Sequence, residues 1–216
     1  MSTVLAFLVF VLSTFGWLAL EPNRPVSVSP TPRPADSYPE ALHRVEELQA
    51  EEHARSDLNP QCFSTLLSHG HPTGKVIVFL HGFTSCPEQF KKIGQRFFER
   101  GYNVFIPRLP RHGPADRLSA ELAYLTAEEL IAFATEMIDI ARGLGERVTV
   151  AGLSGGGTVA TWLAQYRPDI QLAVAMAPFL GISYIPTFLT HVATQWLLSK
   201  PNSFEWWDPK TKEHNP

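Results

Sequence analysis

Residues 148–156, VTVAGLSGG, constrain what this chain can fold into more than any other stretch. They read as a buried strand running straight into a G-x-S-x-G turn, with a helix-like segment after Gly157. Glycines on both sides of Ser154 let the backbone bend sharply and let neighbouring elements approach closely. The turn leaves the Ser154 hydroxyl exposed at the end of a strand.

The rest of the chain supplies the sheet such a turn requires. Residues 75–80 (KVIVFL), 103–106 (NVFI) and 172–177 (LAVAMA) are further apolar strands. Between them lie helices at 87–100, ending at Gly101, and at 126–142. The second carries a Thr126/Glu129 capping box and an apolar stripe of Leu130, Phe133, Met137 and Ile140. The helix after Ser154 is expected to turn Val159, Trp162, Leu163 and Tyr166 inward. Near-continuous apolar strands alternating with amphipathic helices predict an α/β fold, a mostly parallel sheet covered on both faces. Residues 38–55 read as a charged helix with a modest stripe of Ala41, Leu42, Val45 and Leu48.

The N-terminal region has a different character. Residues 3–20 are uncharged and mostly apolar, about 27 Å long as a helix, close to one hydrocarbon core. Residues 1–20 are therefore expected to be a transmembrane anchor; a cleaved signal segment and a buried core helix are the rivals. Six of the eighteen prolines fall between Pro22 and Pro39, so residues 21–37 are expected to be an extended linker before a domain at 38–216. Arg24 and Arg33 follow the apolar run with nothing basic before it, which favours a cytoplasmic C-terminal side. Cys62 and Cys86 favour the opposite side. They flank the first strong strand, and a disulfide between them would be worth about 3–4 kcal/mol and suits an oxidising compartment. The expectation is a membrane-anchored domain facing the extracytoplasmic side, or a secreted one if the segment is cleaved. A net charge of −3 and no long run of Lys and Arg exclude a general nucleic-acid binder.

A serine hydroxyl becomes a nucleophile only when a base takes its proton and donors hold the oxyanion that forms. The Gly155 amide opens the helix after Ser154 and is placed to be one donor. The loop 81–85 (HGFTS) follows the strand ending at Leu80, and its Phe83 amide is the candidate second donor. With 107–113 (PRLPRHG) after the next strand, these motifs resemble those of α/β-hydrolases, most closely bacterial carboxylesterases and monoacylglycerol-lipase-like members. The resemblance covers residues 75–208. It implies Ser154 as nucleophile, Phe83 and Gly155 as the oxyanion hole, no metal or organic cofactor, and a small acyl ester or lipid as substrate. The family commonly has Gly where Arg111 stands.

The family also places an acid and then a histidine after the serine, on loops following two more strands. No strand-like apolar run follows Pro209, so both groups and two strands are expected to lie outside these residues, the chain being a fragment, a truncated product or a decayed copy. The fourth parallel strand would then leave an uncovered apolar edge. His191 is a weak candidate base. His81 is expected to shape the oxyanion loop, His112 to brace its own turn with Asp116, and His214 to be solvated. Asp169 suits a surface role, and Asp208 could be the acid only with a histidine after it. Residues 179–207 are rich in apolar side chains and are expected to form a lid, with Phe83, Phe179 and Trp196 against the substrate. Plain packing on the sheet is the alternative. The implied reaction is hydrolysis of acylglycerol-like or short-to-medium acyl esters through an acyl-Ser154 intermediate. A serine peptidase, a thioesterase, or a catalytically incomplete membrane-tethered binding module are the rivals.

Overall fold

In the computed structural model, which describes residues 9–14, 16, 31–116, 118–180 and 185–198, the apolar runs form one five-stranded sheet. Its strands are β1 (Thr65–Leu67), β2 (Thr73–Leu80), β3 (Asn103–Ile106), β4 (Gly145–Leu153) and β5 (Ile170–Met176), in the order β1-β3-β2-β4-β5. All neighbours are parallel except β1, which runs antiparallel to β3. The sequence pattern misses β1, because three half-buried residues carry no readable alternation.

Four helices cover the sheet: α1 (Tyr38–Ala54), α2 (Glu88–Phe98), α3 (Ala127–Leu144) and α4 (Gly155–Tyr166). The Thr126 hydroxyl accepts the Glu129 amide at 3.1 Å and starts α3. At α1 the Ser37 hydroxyl accepts the Glu40 amide, and the Glu40 carboxylate accepts the Asp36 amide at 2.8 Å. One core layer packs Val76, Val78, Leu80, Val148 and Val150 against α1, α3 and α4. The other packs Ile77, Phe79, Val104 and Ile106 against Phe90 of α2. Each such buried side chain contributes roughly 1.5–3 kcal/mol.

Three features differ from the sequence expectation. Residues 33–37, in the stretch read as a spacer, dock on α3: the Arg33 amide donates to Asp139 Oδ2 at 2.7 Å and the Ala35 amide to the Asp139 carbonyl at 2.9 Å. Tyr166 does not face inward. It is 60% exposed and stacks on the half-buried Trp162, one turn earlier on α4. The sheet is covered on both faces except at β5, where Leu172 is 54% exposed; the outer edge of that strand, expected to be uncovered, pairs with no strand among the described residues.

These elements belong to the unit Val28–Phe179. The described part of the other unit contains helical residues 9–14 and α5 (Thr187–Leu198), whose first turn begins with the Leu189 amide on the Pro186 carbonyl at 2.8 Å. Most of the apolar segment at 1–20 lies outside the described residues. Among those described, no helix is long and apolar enough to cross a membrane. Of the stretch expected as a lid, residues 181–184 and 199–207 also lie outside them.

Candidate active site

The sheet order reverses direction at β2: the chain leaves it on one side for β3 and returns on the other as β4. Open α/β sheets place their ligand crevice at such a switch, outside the C-terminal ends of the strands. Register brings the two loops there level, because Leu80 pairs with Gly152, so the chain leaves both strands at the same height.

Ser154 follows β4 with φ 52° and ψ −114°, a left-handed conformation that costs a non-glycine residue roughly 1–3 kcal/mol. Its amide donates to the Met176 carbonyl at 2.9 Å, and its carbonyl accepts the Thr158 amide at 2.9 Å. Two glycines make the turn possible. A Cβ on Gly152 would overlap the Gly156 carbonyl, and one on Gly156 would overlap the Leu80 carbonyl. The Ser154 side chain is exposed, and among the described residues its hydroxyl has no hydrogen-bond partner.

The loop after β2 is held from several sides. The Gly82 amide donates to Gln89 Oε1 of α2 at 3.0 Å. The Gly82 carbonyl accepts the Ser85 amide at 3.1 Å and the His81 ring at 2.9 Å. The tautomer of His81 follows from its partners. The Leu109 amide reaches Nε2 at 3.0 Å and can only donate, so Nε2 is bare and Nδ1 carries the proton. Burial lowers the His81 pKa from the ordinary 6.5 to about 3, against the opposing Gly82 bond, and His112 and Arg108 add to the lowering. His81 is therefore a neutral brace.

With its carbonyl pinned on one side, the planar Gly82–Phe83 peptide turns the Phe83 amide the other way. Among the described residues neither that amide nor the Gly155 amide has an acceptor. The Phe83 ring covers Gly155, where a Cβ would stand 2.7 Å from it, and a Cβ on Gly82 would stand 3.6 Å from that of Ser154. The structure thus brings Ser154, Phe83 and Gly155 together. Phe179 joins them: the Thr158 hydroxyl donates to its carbonyl at 2.9 Å and lies 3.3 Å from the Ser154 carbonyl. The Phe83 side chain is 40% and that of Phe179 62% exposed.

Trp196 and His191 are on α5 in the other unit, and Asp208 and His214 are outside the described residues. His112 braces its turn, but through Pro110 and not Asp116. Its Nδ1 donates to the Pro110 carbonyl at 2.8 Å, whereas Asp116 accepts the Leu118 amide at 2.9 Å. Burial pushes the His112 pKa down. Asp169 precedes β5, at the opposite end of the sheet from Ser154, and pairs with Arg167 at 2.7 and 2.8 Å; that guanidinium holds its carboxyl below the ordinary range. Cys62 and Cys86 are bonded, with Cα atoms 5.2 Å apart, and tie the turn Pro60–Cys62 to the end of the loop after β2. Among the described residues no group of three His, Cys, Asp or Glu is placed to hold a metal ion. Sequence reasoning misses Gln89 and Thr158, both on the first turns of helices that follow the two loops.

The model of a family described as the alpha/beta hydrolase family matches residues 77–212. A curated relative, the thermostable monoacylglycerol lipase of Bacillus sp. (strain H-257), is 31% identical over 119 residues, which is 55% of this chain and 46% of the relative. The chain thus spans less than half the length of that relative. Among solved structures, one reported for the metagenome-derived lipolytic enzymes LipS and LipT is 26% identical over 52% of this chain and 44% of that one, with a TM-score of 0.47. Est1E from Butyrivibrio proteoclasticus, with ferulic acid bound, is 20% identical over 53% and 48%, with a TM-score of 0.45.

Proposed function

We propose that this chain, which belongs to the alpha/beta hydrolase family, carries the nucleophile and oxyanion hole of a serine hydrolase acting on carboxylic esters. The observation that carries the reading is Ser154 itself. Its hydroxyl stands exposed on a strained turn beside two amides that have no acceptor among the described residues.

In this reading the Ser154 oxygen attacks the ester carbonyl carbon and its proton passes to a base. The carbonyl π pair moves to the oxygen, and the Phe83 and Gly155 amides hold the resulting charge. Collapse of the tetrahedral adduct expels the alcohol and leaves acyl-Ser154, which water then hydrolyses. The base is neither His81 nor His112. His81 has both ring nitrogens engaged and stays neutral, and His112 is buried with Nδ1 on Pro110. The exposed rings of Phe83 and Phe179 support an apolar acyl group, and the likeness to a monoacylglycerol lipase supports acylglycerol-like esters. The disulfide between Cys62 and Cys86 supports work in an oxidising compartment.

The test is release of p-nitrophenol from butyrate and octanoate esters by the 216-residue chain and its Ser154→Ala variant. Release that falls to the uncatalysed rate in the variant is expected. Equal release from both proteins would remove Ser154 from the reaction. Thioester and anilide substrates in the same assay separate esterase from thioesterase and peptidase chemistry.

A further inference from the structure

A buried carboxylate with three hydrogen bonds lies outside the span that the family model matches. Glu52, near the end of α1, is 1% exposed, and Arg108, in the loop after β3, is 9% exposed. Arg108 Nε donates to Glu52 Oε1 at 3.0 Å. The Ser64 hydroxyl donates to the same oxygen at 2.8 Å, and the Ser64 amide to Oε2 at 2.6 Å. The Arg108 amide in turn donates to the Ser64 hydroxyl at 2.8 Å. An ion pair this dry persists only where further hydrogen bonds complete it, as they do here.

This cluster leads to the candidate site. Arg108 Nη1 donates to the His112 carbonyl at 2.9 Å. The His112 ring stacks on Phe83 at 5.7 Å and meets the His81 ring edge-on at 5.0 Å. The residue after Arg108, Leu109, gives its amide to His81 Nε2. The same arm of chain runs on beside the loop: the Asn59 amide donates to the Gly113 carbonyl at 2.9 Å, the Ala115 amide to the Asp57 carbonyl at 2.8 Å, and Cys62 is bonded to Cys86. Both walls of the Phe83 turn thus rest on residues 52–64.

We propose that Glu52 is a positioning residue of the oxyanion loop, acting through Arg108 and His112 on Phe83. The proposal deepens the reading of Phe83 as an oxyanion donor and rests on it. Arginine suits the task because its fork grips Glu52 with one nitrogen and the His112 carbonyl with another. A lysine at 108 keeps the charge opposite Glu52 but releases one of the two.

The test compares the full chain with its Glu52→Gln and Arg108→Lys variants by amide NMR, which needs no turnover. Both variants are expected to move the Phe83 cross-peak and to speed exchange of the Leu109 amide by about tenfold relative to Val150 in β4. If Glu52→Gln does not fold, Arg108→Lys decides alone. The proposal fails if Arg108→Lys leaves Phe83 and Leu109 as in the parent, or if Val150 exchange speeds up by the same factor. Ester hydrolysis unaffected by Ser154→Ala would overturn the functional reading by a separate route, without touching these signals.

Discussion

Acidification tests the buried neutral state of His81. The unfolded chain binds a proton at this residue below about pH 6.5, whereas the folded chain does so only below about 3. Because the folded pKa is depressed, the unfolded state holds more protons between those values. Stability is full above the upper limit and is lost as pH falls through the window. At about pH 4.5 the gap to the unfolded value is roughly two units, so His81 alone removes about 3 kcal/mol. For a chain of this size that lowers the melting temperature by roughly 6–12 °C. His112 shifts in the same direction and adds to the loss, so His81 must be isolated by substitution. Glutamine serves: its carbonyl can accept the Leu109 amide and its NH₂ can reach the Gly82 carbonyl, yet it does not titrate. Asp169 does not interfere, since its carboxyl titrates below the ordinary 3.8 and its contribution is lost only under that pH. Urea unfolding of the parent and of His81→Gln at about pH 7.5 and about pH 4.5 gives four free energies. The parent should lose about 3 kcal/mol more than the variant between the two conditions. Equal losses, within about half a kcal/mol, would show that the folded chain protonates His81 freely and that the tautomer argument is wrong.

Other substitutions probe the same geometry. Ser154→Gly relieves the left-handed strain and should raise stability by about 1 kcal/mol at constant m-value while abolishing acyl transfer; a destabilised protein would mean that φ 52° carries no strain. Gly156→Ala drives a methyl into the Leu80 carbonyl and should cost about 3 kcal/mol or prevent folding, whereas Gly155→Ala first meets the exposed Phe83 ring and should cost about 1; similar costs in thermal melts would contradict the packing at the turn. Arg167→Met leaves Asp139, which the guanidinium meets at 2.8 Å in a nearly dry site, without its ion pair, and should cost about 3–5 kcal/mol in urea. Reduction of the Cys62–Cys86 bond, 24 residues apart, should lower stability by about 3 kcal/mol, read as the difference between melts with and without a thiol.

The parts of this molecule that were legible in sequence share one property: their signal is local. A run such as residues 75–80 can only be a buried strand, Thr126 with Glu129 marks a helix start, and a glycine on each side of Ser154 marks a turn. The parts that were not legible depend on partners far along the chain. Glu52 sits among polar neighbours in a charged helix and reads as solvated, yet its guanidinium partner is 56 residues away. Nothing near His112 shows that Pro110 rather than Asp116 takes its proton, because that choice belongs to the loop's path. Tyr166 fits the inward stripe by spacing, but it stacks on Trp162 and stays exposed. Gln89 carries no motif at all; it matters because α2 brings its carbonyl to the Gly82 amide.

The pairing of Leu80 with Gly152 also sets an order in time. The two loops of the candidate site are separated by roughly 70 residues of chain, so during synthesis at about 5–20 residues per second the first waits roughly 4–14 seconds for the second. Once β3 has been made, β2 has it on one side and a bare apolar edge on the other until β4 follows. The backward turn at Ser154 closes against the Leu80 carbonyl through Gly156, so it has nothing to close upon until β4 docks. A nascent chain therefore lacks this turn until then. The Ser154 turn is formed only when the centre of the sheet is complete.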